Sequence, residues 1–93
     1  MIPVEDLVTE DYNVEVYPNP TSDVLNVRAD FGRKVNIQLR LTDMMGKQLL
    51  VFERNKVSQY NDQFFLDMLP SGMYILQIKV NNNAEIIRKV VKR

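Results

Sequence analysis

The stretch VNIQLRL, Val35 to Leu41, alternates apolar and polar residues without a slip. Successive side chains of a strand point to opposite faces, so Val35, Ile37, Leu39 and Leu41 make one apolar row, and Asn36, Gln38 and Arg40 make one polar row. A strand so patterned must lay its apolar row against a core. It ends at DMMG, where Asp43 can open a type I turn and Gly46 can take the positive φ that closes a short hairpin loop. Lys47 to Glu53 should then return antiparallel. Within QLLVF, Leu49 and Val51 compete with Leu50 and Phe52 for the inner face, a two-sided pattern that suits a central strand.

The same period recurs along the chain. Val14 and Val16, then Leu25 and Val27, alternate with polar neighbours on either side of YPNP, and Phe64 and Leu66 lead into LPSG, a second Pro/Gly break. Tyr74, Leu76, Ile78 and Val80 form one face after that break. Asn81, Asn82 and Asn83 tolerate left-handed backbone and predict a hairpin, with Glu85 to Lys92 as the last strand. About seven short strands, with turn signals roughly every 8 to 12 residues, predict an all-β, immunoglobulin-like antiparallel β-sandwich. In GMY, Tyr74 opens the penultimate strand where such domains carry a tyrosine corner, which predicts a hydroxyl bonded to upstream backbone near Leu66 to Leu69. The first residues, 1–13, are acidic and lack sustained alternation, so they are expected to be a linker or the end of a preceding domain, with the domain proper over 14–93.

Composition closes off several functions. A chain of 93 residues buries only roughly 60 to 65% of its unfolded surface, which leaves no room for a large cleft. The 12 basic and 12 acidic residues are interspersed, so no long-range field gathers nucleic acid or anionic lipid. MIPVEDLVTED has acidic residues where a signal peptide would have a basic start and about 7 to 15 apolar residues, so no targeting segment is expected to open the chain. No window approaches the ~20 apolar residues of a membrane span, and no membrane insertion is expected. The absence of cysteine removes disulfide and thiolate chemistry without fixing a compartment.

Catalytic groups are scarce as well. The chain has no His and no Cys, and Ser22, Ser58 and Ser71 fall in or near expected turns without an evident general base. Asp23, Asp43, Asp62 and Asp67 each have an ordinary turn or strand-edge role. Asp11, Asn13, Asn19 and Asp23 could offer oxygens to a hard cation but lack any ligand-loop spacing. Neither an enzyme nor a metal or cofactor site is expected.

YPNP can be explained as a turn on physical grounds. Pro18 and Pro20 have no amide to donate and push Tyr17 and Asn19 out of the helical region, so sheet pairing stops there. Thr21, Ser22 and Asp23 then offer side-chain acceptors to turn backbone.

Taken in order, VYPNPTSDVLNV, TDMMGKQL, LPSGMYILQI and the terminal RKVVKR resemble the C-terminal sorting domain (type A) of type IX secretion cargo proteins from Bacteroidota, over about Val14 to Arg93. The resemblance implies a portable export tag at the end of a larger precursor. That precursor would cross the inner membrane by its own signal peptide and reach the surface or medium through the periplasm. The implied partners are the outer-membrane translocon, the shuttle and the sortase of that system. The sortase would cut within or before residues 1–13 as the cargo is anchored to lipopolysaccharide or released. Carried over residue by residue, the motifs point to Pro18, Asn19, Pro20, Gly46, Leu69, Pro70, Gly72, Tyr74, Lys89 and Lys92. Lys89 and Lys92 would give the last strand a basic docking edge. The competing expectation is a cell-surface adhesion or carbohydrate-binding module, or a passive spacer, since this architecture hosts many functions. A sugar site would need exposed aromatics. For that role Tyr12, Tyr17 and Tyr60 are the candidates, with Phe64 and Tyr74 turned inward.

Overall fold

The computed structural model describes residues 12–93. Most of the expected linker, residues 1–11, and any cleavage junction within it therefore lie outside the described residues. The rest is all β. Five strands follow in order, β1 (Asn13–Tyr17), β2 (Val24–Asp43), β3 (Gln48–Phe65), β4 (Gly72–Val80) and β5 (Ala84–Lys92). They form one antiparallel sheet with the path β1-β2-β4-β5, and β3 pairs with β2.

The expected count of about seven strands is corrected to five, and the separate sheets of a sandwich to one curled sheet. The reason lies in β2 and β3, which run 20 and 18 residues through places where the pattern breaks. The ladder between them is regular from Val24/Phe65 to Asp30/Gln59, shifts register, and resumes from Val35/Val57. Gly32, at that shift, has φ +75°, and Lys56, at the next shift between Val35/Val57 and Ile37/Arg54, has φ +56°. A left-handed residue in a strand bends it without ending it. Each long strand thereby serves both arms of the curl. The first half of β2 pairs with β1, and its second half pairs with β4.

The curl closes around one core. Leu25, Val27, Ala29, Val35, Ile37, Leu39 and Leu41 are all buried, so the inner row of β2 keeps its parity across the bend. Tyr74, Leu76, Ile78 and Val80 face them from β4, and Ile86 and Val90 from β5. Each of the larger aliphatic residues contributes about 1.5 to 3 kcal/mol through burial. In the polar row Asn36 is exposed, while Gln38 and Arg40 are half-buried.

Two expectations about β3 fail. Its QLLVF segment is not central, because β4 occupies the other side of β2 and β3 pairs with β2 alone. Leu49, Leu50 and Phe52 are half-buried there, and Val51 is exposed. Tyr60 is not a surface aromatic either. It is only 6% exposed because it stands opposite Ala29 in the ladder, where a small neighbour leaves space for the ring.

The turns follow their chemistry. The Asp43 carboxylate accepts from the amides of Met45 and Lys47, each at 2.9 Å, and Gly46 takes φ +87°. Asn81 and Asn82 supply the left-handed pair between β4 and β5, with φ +52° and +61°. The Asn81 side-chain oxygen also accepts from Asn36 N at 2.9 Å, tying that hairpin to β2.

Candidate functional site

The YPNP segment leaves β1 as the chain loses amide donors, and both of its X–Pro bonds, Tyr17–Pro18 and Asn19–Pro20, are cis. Asn19 is thereby set against the free edge of β5. Its side-chain nitrogen donates to Lys89 O at 2.7 Å, and its side-chain oxygen accepts from Val91 N at 2.9 Å. One carboxamide thus stands in for a neighbouring strand. Thr21 continues the cover with a parallel bridge to Lys92. Thr21 N donates to Val91 O at 2.9 Å, and Arg93 N donates to Thr21 O at 2.8 Å. The Thr21 hydroxyl donates to Val24 O, and the residue is 1% exposed.

This clamp meets the remaining motif blocks at one end of the molecule. Gly72 stands opposite Lys92, and Tyr74 stands opposite Val90 on one side and Asp43 on the other. The Asp43 turn that contains Gly46 therefore lies beside the start of β4. The loop from β3 to β4 joins the same end, because Leu66 N donates to Asp23 O at 2.6 Å and Leu69 N to Leu66 O at 2.9 Å. The Tyr74 hydroxyl donates to Pro70 O at 2.6 Å. The corner exists, but its acceptor lies just past the Leu66 to Leu69 window, because the loop turns at Leu66–Leu69 and delivers the next carbonyl to the ring.

Pro18, Asn19, Pro20, Leu69, Pro70, Gly72, Tyr74, Lys89 and Lys92, with the Gly46 turn, thus share one end of the sheet. They do not make a uniform basic edge. Lys89 is exposed. Lys92 is only 8% exposed, its ammonium donating to Arg93 O at 3.1 Å. The edge backbone at Lys89 to Arg93 is bonded to Asn19 and Thr21. What sequence reasoning missed was Thr21 and the reach of Asn19, both expected to serve only their own turn. Their partners lie 70 and more residues away, and the only local signal was a Thr placed directly after Pro20.

Burial, then the hydrogen bond to Asp62 at 3.0 Å, push the Tyr60 phenol far above its ordinary range, so it keeps its proton at pH values where an exposed tyrosine ionises. Among the described residues no group of three or more His, Cys, Asp or Glu is placed to hold a metal ion. The aromatic platform a sugar site would want reduces among the three candidate tyrosines to Tyr17, 43% exposed, since Tyr12 packs edge-on against Phe31 at 5.6 Å and Tyr60 is buried.

The sequence model of a family described as "Secretion system C-terminal sorting domain" matches residues 15–93. No curated protein matches the chain. Among solved structures, dimeric latent PorU from Porphyromonas gingivalis superimposes with a TM-score of 0.67 at 16% identity, over 87% of this chain and 9% of that one. At that identity the likeness is one of fold, and the chain spans only a small part of that protein's length.

Proposed function

Because the chain belongs to the family of type IX secretion system C-terminal sorting domains, we propose that it directs an attached cargo through the outer-membrane translocon of that system and itself performs no catalysis. The observation that carries this is the family match over residues 15–93. The convergence of YPNP, DMMG, LPSG and the last strand on one closed end supports it, since a receptor can read a shape that all four blocks build together. In this proposal residues 14–93 are the tag and 1–13 the link to the cargo. The shuttle and the sortase act in sequence on the cargo after periplasmic transit, and the sortase removes the tag near the link as the cargo is anchored or released. Pro18, Asn19, Pro20, Gly46, Leu69, Pro70, Gly72 and Tyr74 hold the read end in shape, with Lys89 on its surface.

The test is a fusion of residues 12–93 to a folded periplasmic reporter in a type IX-competent cell. The reporter should appear at the surface or in the medium, and should remain in the periplasm in a cell lacking the translocon. Retention of the reporter with the domain folded, or escape without the translocon, would overturn the proposal.

A further inference from the structure

Exposed apolar side chains are unevenly distributed over this molecule. The large ones are Tyr17, Met44, Met45, Val51, Phe65, Met68, Met73 and Ile87. All but Val51 and Ile87 sit at the closed end, where Tyr17 ends β1, Met44 and Met45 ride the Asp43 turn, Phe65 ends β3, Met68 rides the following loop, and Met73 follows Gly72 at the start of β4. Met45 and Met68 are 91% and 88% exposed. Every methionine of the described residues belongs to this set.

The backbone beneath them is held. Asp43 ties both ends of its turn by accepting from Met45 N and Lys47 N, and the Met68 loop is fixed by Leu66 N to Asp23 O and Leu69 N to Leu66 O. Side chains on fixed turns do not reach the core by local collapse, and such a concentration of exposed apolar groups marks an interaction surface. Methionine suits a contact that must adapt its shape, because it is unbranched and polarisable.

The charges at this end choose the occupant. Lys92 is buried with its ammonium on Arg93 O, and among the remaining charges Asp23, Asp43 and Asp67 balance Lys47, Lys89 and Arg93. A membrane-surface site needs basic residues around its apolar ones to hold anionic lipid, and that surplus is missing. We propose that Met44, Met45, Phe65, Met68 and Met73 are the contact residues of the tag, and that they insert into an uncharged apolar groove of a receptor protein. This deepens the export reading and rests on it. The motif residues then act at one remove, by fixing the turns that present the methionines.

The test replaces Met44, Met45, Met68 and Met73 together by Ser in the reporter fusion, with Val51 and Ile87 replaced by Ser as the control. Substitutions at exposed positions change stability little, so both purified variants should melt close to the parent. Export should fall at least about tenfold for the methionine variant and stay at the parental level for the control. If the methionine variant melts early, single changes Met45→Ser and Met68→Ser carry the comparison, since these two are the most exposed. Parental export of a folded methionine variant overturns the proposal, as does an equal loss in the control. Failure of the unaltered fusion to leave the periplasm is a different result and overturns the export reading itself. Two other occupants are read from the purified domain with isotope-labelled methionine methyl groups. Methyl shifts that grow with protein concentration would assign the surface to a second copy. Shifts on adding phosphatidylglycerol vesicles would assign it to lipid. Either also overturns the receptor groove.

Discussion

Tyr74 and Tyr60 show how much depends on where a phenol points. Tyr74 is buried and donates to Pro70 O, so Tyr74→Phe keeps the ring and leaves one carbonyl without its donor. The expected loss is about 0.5 to 1.5 kcal/mol, read as a lower denaturation midpoint with an unchanged slope. Tyr60 donates to Asp62 from the inner face, and its phenol is harder to ionise than in the unfolded chain. A group whose folded pKa is raised binds its proton more tightly when folded. Its contribution is therefore complete below the ordinary tyrosine value of about 10 and is lost as pH rises above it. The melting temperature should fall more steeply above about pH 10 in the parent than in Tyr60→Phe. Equal slopes would show that the phenol ionises alike in both states.

At the scale of elements, the instructive pair is a turn and a strand that meet from opposite ends of the sequence. Asn19→Ala removes both bonds from the carboxamide to the β5 edge and should cost about 1 to 2 kcal/mol, with faster amide exchange at Val91 than elsewhere in β5. An unchanged exchange rate at Val91 would mean that the edge is held by Thr21 alone. The sequence could not announce this pairing, because a turn signal at Pro18–Pro20 is local and its partner is not. Period two was legible wherever a strand buries one face, as at Val35 to Leu41 and Tyr74 to Val80. It failed in β3, whose half-exposed Leu49 to Phe52 satisfies neither parity. Strand number failed for a related reason. Gly32 and Lys56 bend their strands, and an interior bend and a true turn leave similar marks in sequence.

On the scale of the whole molecule, the last strand lets stability and export be tested apart. Lys89 is exposed, and it is the backbone rather than the side chain that binds Asn19, so Lys89→Glu should change stability by no more than about 0.5 kcal/mol. Lys92 faces inward beside Gly72 and Thr21, and Lys92→Glu should cost at least about 1 kcal/mol because it buries a charge with different bonding needs. Comparing thermal melts of the two purified variants checks this, and equal stability would place Lys92 at the surface. Export of the fused reporter then reports on recognition only for Lys89→Glu, whose fold is intact. The clamp between Asn19 and the 89–93 segment also sets an order of events in time. Emerging from the ribosome, or from a membrane pore, the chain can pair β2 with β3 early, yet it cannot close its end until Val91 and Arg93 have arrived. Contacts of such long sequence separation form late. A chain cut short before Val91 would thus carry its turns without the closed end, so closure of that end reports that the last strand is in place.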